Sequence, residues 1–167
     1  NTKPFTITQL NFYISKDSEK FSSNKKHYHT FEIKKKSGAP RTIHAPCKGL
    51  LEFQKSLNII LHVLHTPHGA ATGFIPNKSI VDNAKKHVNK NYVYNIDLKD
   101  FFHGINHKQV ETFFATEPFK FDKRAVRLLS QLTTLEKRLP MGAPTSPVLS
   151  NLLCIPLDQA LMKYANK

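Results

Sequence analysis

Apolar side chains recur every three or four residues along several stretches of the chain, which is the spacing that places them on one face of an α-helix. Asn106 and Asp122 each precede such a stretch and are predicted N-caps. Proline lacks the amide hydrogen that a helix interior needs, so Pro156 should kink the last helix or divide it in two. Helices are expected at 48–65, 107–116, 123–134 and 148–165, with a shorter basic helix at 81–90.

Residues 25–43 show a different pattern, in which apolar and polar side chains alternate on either side of a turn at 37–40 that contains glycine and proline. This pattern predicts a β-hairpin whose return strand covers 41–44. A cluster of cations at the tip suits phosphate binding, because arginine can donate to two oxygens at once. Lysines also commonly protect sheet edges, so a solvated edge hairpin is the alternative. The cations are Lys34, Lys35, Lys36 and Arg41.

Residues 92–102 combine aromatic and β-branched side chains with two carboxylates. The composition before Asp97 predicts a short and largely buried strand. A carboxylate on a stiff, packed strand is a good ligand for a hard cation such as magnesium. Asp100 is spaced to leave the strand and cap the element that follows, with a turn at 102–105. In the alternative interpretation, Asp97 only ends an ordinary strand.

Residues 139–147 form a second candidate ligand-binding stretch, with a glycine and a predicted helix start. Gly142 permits a close approach of the backbone to a ligand. Ser146 followed by Pro147 is typical of an N-cap and a first helical turn. An exposed helix start beside a glycine can hold an anion, although a structural loop with a cap explains the same residues.

The charge balance favours a polyanionic partner. Lysine and arginine total 25 against 12 acidic residues, a formal net charge of +13, and nucleic acid is the simplest partner for it. No basic amphipathic helix with a bulky apolar face favours a membrane surface instead. Cys47 and Cys154 are too few for a disulfide framework and fit a reducing, cytoplasmic setting. Three histidines at 62, 65 and 68 lack the further ligands of a zinc site.

Four motifs follow one another along the chain, namely RTIHAP from Arg41, GF at Gly73 with SI at Ser79, NIDLKDFF from Asn95 and LPMGAPTSP from Leu139. In this order they resemble the motifs of bacterial reverse transcriptases, and Asn83 with His87 is similar to the hallmark of the retron subgroup. Group II intron and diversity-generating reverse transcriptases share the catalytic motifs.

The resemblance implies an α+β fold, namely the fingers and an incomplete palm of a right-hand polymerase, with a small antiparallel sheet flanked by helices. Residues 1–90 would form the fingers region and residues 91–167 the partial palm. The central strand would carry Asp97 and lack a pairing partner. The exposed sheet edge predicts self-association.

The resemblance also assigns roles to individual residues. Asp97 is the expected catalytic aspartate, and with the Leu98 carbonyl it would bind two Mg²⁺ ions. Phe102 resembles the aromatic gate that excludes a ribose 2′-hydroxyl. Other nucleotide-binding residues would be Arg41, Asp100, Phe101, Met141 and Gly142. Nucleic-acid contacts would come from Lys34, Lys35, Lys36, Asn83, Lys85, Lys86, His87 and Ser146.

The implied function is RNA-directed DNA synthesis on a structured RNA, with an RNA template, a DNA or RNA primer and deoxynucleoside triphosphates as partners and antiphage defence as the usual family role. Two departures stand out. Met141 replaces the usual glutamine, and no Tyr-x-Asp-Asp motif occurs up to Lys167. The 167 residues alone are therefore expected to be inactive in polymerisation. The rival hypothesis is a non-enzymatic RNA-binding module that uses the same basic surface.

Overall fold

The structure is a computed structural model of the 167-residue chain, and it describes residues 4–14, 26–35, 38–64 and 66–165. Its fold is α+β, with one two-stranded antiparallel sheet and eight helices among the described residues. The elements are α1 (Ile7–Phe12), β1 (Tyr28–Lys34), β2 (Pro40–Pro46), α2 (Lys48–Leu64), α3 (Ile80–Lys85), α4 (Phe101–Gly104), α5 (His107–Ala115), α6 (Lys123–Thr133), α7 (Thr145–Leu153) and α8 (Ile155–Ala165).

The predicted β-hairpin is confirmed. Strands β1 and β2 pair in register from Tyr28 opposite Pro46 to Lys34 opposite Pro40, so the return strand is longer than predicted. Gly38 has φ +84° in the turn, a conformation that glycine adopts without steric cost. The expected first residue of the hairpin at 25 and the turn positions 36 and 37 lie outside the described residues.

A hydrophobic core forms where α2, α5, α6 and α7 pack together. Val110, Phe114, Leu139 and Leu149 are completely buried there. Gln54 of α2 joins the hairpin to this core, because its Nε2 donates to the Tyr28 hydroxyl at 3.0 Å and to the Leu132 carbonyl at 2.7 Å. The hairpin is therefore anchored at its base, while the described residues near its tip are exposed.

Both predicted N-caps are confirmed. The Asn106 side chain accepts from the Gln109 amide at 3.0 Å, and the Asp122 carboxylate accepts from two amides at the start of α6. These bonds satisfy amides that have no partner inside the helix. The basic helix α3 is shorter than predicted and ends at Lys85.

The predicted strand before Asp97 is absent. Residues 91–100 contain no regular secondary structure, and the apolar side chains expected to be buried face solvent. Tyr92 is 94% exposed and Tyr94 88%. A strand gains stability from pairing and from a buried face, and the only sheet among the described residues is the β1–β2 hairpin. Composition predicted the preference for a strand but could not supply its partner.

Two further predictions about the second half were wrong in detail. The expected turn at 102–105 is mostly the short helix α4, and Asp100 precedes it with φ +50° and makes no capping hydrogen bond. The last predicted helix begins at Thr145, so Ser146 lies inside its first turn and is not the N-cap. Pro156 does divide that helix into α7 and α8, as predicted.

Candidate functional site

The loop before α7 lies directly against strand β2. The His44 amide donates to the Met141 carbonyl at 2.7 Å. Gly142 has φ +117°, and a Cβ atom there would lie 2.8 Å from the His44 carbonyl oxygen and 2.9 Å from Ile43 Cγ2. The close approach that this glycine permits is thus made to the hairpin, where the sequence had predicted an approach to a ligand.

The start of helix α7 is closed to solvent. Thr145 and Ser146 are both completely buried, and the Ser146 hydroxyl donates to the Pro140 carbonyl at 2.7 Å. The expected exposed helix start, with Ser146 available to an anion or to nucleic acid, is therefore wrong for this conformation. Ser146 instead fixes the shape of the loop that carries Met141 and Gly142.

This contact connects the loop to the strand that carries Arg41. Arg41 is exposed on β2 and lies opposite Ile33, three residues before His44. Lys34 and Lys35 are exposed at the same end of the hairpin, whereas Lys36 lies outside the described residues. The Thr30 hydroxyl is 2.9 Å from His44 Nδ1 and holds the ring across the strand pair. The hairpin thus presents three described cations at one end and is attached to the loop at the other.

Asp97 and Leu98 lie in the exposed segment 91–100, and Asp100 follows them. Within the described residues no three histidine, cysteine, aspartate or glutamate side chains are grouped closely enough to hold a metal ion. The local donors are the Asp97 carboxylate and the Leu98 carbonyl. Both are hard oxygen donors of the kind that magnesium prefers, but they fill only part of its coordination shell.

Phe101 and Phe102 are half-buried at the start of α4, and Phe102 packs against the core. The ring centroids of Phe101 and Phe102 are 5.6 Å apart. A third ring, that of Phe74, lies 6.1 Å from Phe102 and is tilted by 44°. Phe74 belongs to the GF motif at Gly73, but the motif assigned it no role in the site, because residue identity alone does not show which ring it meets.

The basic segment around α3 is exposed at Asn83, Lys85 and His87. Lys86 differs, because its Nζ donates to the Gly69 carbonyl at 2.6 Å and to the Ala70 carbonyl at 3.1 Å. These hydrogen bonds connect the end of α3 to the preceding loop, so Lys86 stabilises the position of that loop.

The cap of α3 also has an electrostatic consequence. The Ser79 hydroxyl donates to Asp82 Oδ2 at 2.7 Å, and the Ser79 amide donates to the same oxygen at 2.8 Å. These bonds to the charged form lower the pKa of the Asp82 carboxyl. The start of α3 therefore keeps a carboxylate even in mildly acidic solution, beside a segment that is otherwise basic.

The structure brings some of the predicted residues together and leaves others apart. The hairpin and the Met141–Gly142 loop are in contact, and the aromatic residues at 101 and 102 form one cluster. Asp97 stays on an exposed segment that lacks a sheet to support it.

Comparison with known proteins matches residues 33–167 to the family described as reverse transcriptase (RNA-dependent DNA polymerase). Similar curated proteins include the retron Mx162 reverse transcriptase of Myxococcus xanthus, 33% identical over 84% of this chain and 32% of the relative. The retron Ec86 reverse transcriptase of Escherichia coli is 32% identical over 83% of the chain and 43% of the relative. The retron Ec73 reverse transcriptase of the same species is 34% identical over 81% of the chain and 46% of the relative. The chain thus spans 32% to 46% of the length of these relatives.

Proposed function

This chain belongs to the reverse transcriptase (RNA-dependent DNA polymerase) family, and on that premise we propose that it supplies the nucleotide-binding surface and the first catalytic aspartate of a retron-type RNA-directed DNA polymerase. One observation carries the proposal. The His44–Met141 hydrogen bond and the glycine contact beside it attach the strand of Arg41 to the Met141–Gly142 loop. Two separate sequence motifs therefore form one surface.

In this proposal residues 1–90 are the fingers region and residues 91–167 part of the palm. The hairpin is the projecting part of the fingers, and the helices around Val110 and Leu149 form the base on which the site rests. The exposed segment 91–100 is proposed to form the palm strand when a partner strand pairs with it.

The nucleotide is proposed to lie between the hairpin and the aromatic cluster. Arg41 binds the triphosphate, since its exposed guanidinium can donate to two phosphate oxygens. Asp100 and Phe101 lie under the triphosphate, and the half-buried Phe102 ring excludes a 2′-hydroxyl because a packed side chain cannot move aside freely. Met141 and Gly142 would border the nucleotide on the side of the hairpin, because their loop contacts β2.

Asp97 and the Leu98 carbonyl are the residues that would hold Mg²⁺. Magnesium commonly binds to one or two carboxylates together with substrate phosphates, so this partial donor set fits an ion that arrives with the nucleotide. Bound there, the metal would stabilise charge on the attacking and leaving oxygens. The contribution of Asp97 is an exposed carboxylate at the end of the palm segment.

The template and primer are proposed to run along the basic surface. Lys34, Lys35, Asn83, Lys85 and His87 are exposed and can contact phosphates. Lys36 is included on its sequence position alone. Lys86 is exposed and belongs to the same proposed set, although its ammonium donates to loop carbonyls, whereas the buried Ser146 hydroxyl only fixes the shape of its loop.

The biological setting is proposed from the family resemblance. We propose a structured RNA as template, a DNA or RNA primer and deoxynucleoside triphosphates as partners, a cytoplasmic location and a role in antiphage defence. Among the residues described, no helix has both the length and the hydrophobicity needed to cross a bilayer. Self-association through the unpaired segment is also part of the proposal.

The test is nucleotide binding by the purified chain, measured by fluorescence with a labelled dATP in the presence and absence of Mg²⁺. Asp97→Asn should abolish the magnesium dependence. Arg41→Gln should weaken binding roughly ten- to a hundredfold, the factor expected when hydrogen bonds to a charged group are lost. Asp158→Asn is the matched control, because it removes a carboxylate on α8.

The RNA-binding module is the second candidate, and the surplus of 13 positive charges favours it equally. It predicts RNA binding without any magnesium-dependent nucleotide binding. Binding of dATP that is indifferent to Asp97→Asn and Arg41→Gln would contradict the polymerase proposal and leave this alternative.

A further inference from the structure

Phe74 lies beside the ring proposed to select the sugar. Its centroid is 6.1 Å from that of Phe102, and the two rings are tilted by 44°. This separation and tilt are within the range of favourable aromatic pairs. Phe102 also contacts Phe101 at 5.6 Å, so two neighbouring rings restrain it.

The loop that carries Phe74 is held in place from two directions. Asn151 of α7 donates from Nδ2 to the Gly73 carbonyl at 2.9 Å. Lys86 donates to the carbonyls of Gly69 and Ala70 in the same loop. Because these anchors lie on different elements, the position of the loop is tied to the body of the protein and not only to its own turn.

Phe74 adopts this position at a conformational cost. Its φ is +58°, in the left-handed region that a bulky aromatic residue rarely occupies. Its side chain remains 60% exposed, so burial of the ring does not compensate for that cost. Residues held in such conformations occur preferentially at functional sites, where the surrounding structure enforces them. Among the described residues, the aromatic ring that Phe74 meets is that of Phe102.

We propose that Phe74 is a positioning residue for Phe102 and thereby sets how strictly the site distinguishes a deoxyribonucleotide from a ribonucleotide. This inference rests on the proposed function, because it assigns to Phe102 the selection of the sugar. Phe74 does not touch the nucleotide itself. It limits the movement of the Phe102 ring, and a ring that cannot rotate away leaves no room for a 2′-hydroxyl.

The first experiment compares dATP and ATP binding to the purified chain with Mg²⁺. Phe74→Ala should reduce the preference for dATP about two- to tenfold, the factor that corresponds to one aromatic pair, with little change in the affinity for dATP itself. Phe74→Tyr keeps the ring and should restore the preference. Phe12→Ala is the matched control, because Phe12 is also an exposed phenylalanine with aromatic neighbours, Tyr13 and His27.

The second experiment observes the Phe102 ring directly by ¹⁹F NMR, with 4-fluorophenylalanine at that position. Phe74→Ala should shift and broaden the resonance, whereas Phe12→Ala should leave it unchanged. Asn151→Ala removes the anchor of the loop without touching either ring, and it should act in the same direction.

The outcomes separate the two proposals. If the wild-type chain binds neither nucleotide, the proposed function fails and the selection role fails with it. If the wild-type chain prefers dATP and Phe74→Ala keeps both that preference and the ¹⁹F spectrum, the positioning role of Phe74 is overturned while the proposed function stands.

Discussion

Gly142 shows at the scale of one residue how a loop is fitted to a strand. Its φ of +117° and the 2.8 Å that would separate a Cβ atom from the His44 carbonyl oxygen exclude other residues for two independent reasons. Gly38 has φ +84° but open space around the missing Cβ. Comparing a substitution at each glycine therefore separates the free-energy cost of a positive φ from the added cost of a steric clash.

We expect Gly142→Ala to destabilise the chain more than Gly38→Ala. Gly38→Ala should cost about 1–2 kcal/mol through its left-handed conformation alone. Gly142→Ala should cost roughly 1–3 kcal/mol more, because overpacking against a carbonyl group is added. Urea unfolding at equilibrium measures both. Equal losses for the two variants would show that the loop does not press against β2.

His107 is a buried ionisable residue at the start of α5. Its Nδ1 is 2.7 Å from the Thr134 hydroxyl, and its Nε2 is 3.3 Å from Glu111 Oε1. Burial lowers the pKa of His107 below its usual 6.5, and the nearby charge of Lys137 lowers it further, although Glu111 acts in the opposite direction. The folded protein consequently prefers the neutral ring.

This preference predicts a loss of stability in acid. Because the folded-state pKa is below 6.5, the unfolded chain binds the proton more readily, and the stabilisation present above that value is lost as the pH falls. One such group changes the unfolding free energy by at most about 1.4 kcal/mol per pH unit. Between about pH 7 and pH 5, the unfolding free energy should depend less steeply on pH for His107→Gln than for wild type. His29→Gln, at an exposed position, is the control, and a slope unaltered by His107→Gln would contradict the assignment.

At the scale of an element, residues 91–100 have the composition of a β-strand but form no strand in the structure. Tyr92, Tyr94 and Ile96 expose 94%, 88% and 59% of their surface. Helices α5 and α6 form because their hydrogen bonds are local and their apolar faces meet each other. A strand needs hydrogen-bonding partners from elsewhere in the chain or from another molecule, and exposed apolar strands pair readily.

We therefore expect the purified chain to self-associate through this segment. The weight-average mass in sedimentation equilibrium should rise with protein concentration. Ile96→Lys should reduce that rise, because a charge on an unpaired strand opposes pairing. Ile80→Lys is the matched control, since Ile80 is 89% exposed but lies on α3. A monomer at all concentrations, or equal effects of the two lysines, would contradict the prediction.

At the scale of the whole molecule, the net positive charge and the place where cations cluster are separate features. The excess of cations belongs to the chain as a whole, but Lys34, Lys35 and Arg41 lie exposed at one end of the hairpin, which Gln54 anchors to the core. A polynucleotide would therefore meet charges at a defined place. The net positive charge attracts any polyanion at long range, and the hairpin cations determine where the polyanion makes contact.

The salt dependence of RNA binding tests this arrangement. Each phosphate contact to a single strand contributes about 0.7 to the slope of log affinity against log salt concentration. Replacing Lys34, Lys35 and Arg41 by glutamine should therefore reduce the slope by about 2. The control replaces Lys55, Lys108 and Lys163, three exposed lysines outside the hairpin, by glutamine. Fluorescence anisotropy with a labelled RNA measures both. Equal slopes in the two triple variants would place the contacts elsewhere.

The sequence by itself determined the features that depend on near neighbours. Periodicity predicted α2, α5 and α6, the caps Asn106 and Asp122, the hairpin and the division at Pro156, because each follows from residues within one or two turns of one another. The ordered motifs also identified the family, since residue identities carry that information without coordinates.

Only the tertiary structure decided what depends on distant partners. It showed that Gly142 approaches a strand, that Ser146 is buried, that Lys86 is engaged by a loop and that Phe74 meets Phe102. It also showed that residues 91–100 remain unpaired among the described residues. The physical reason is the same in each case. Burial, close approach and strand pairing are properties of two segments together, and the pattern within one segment does not contain the other.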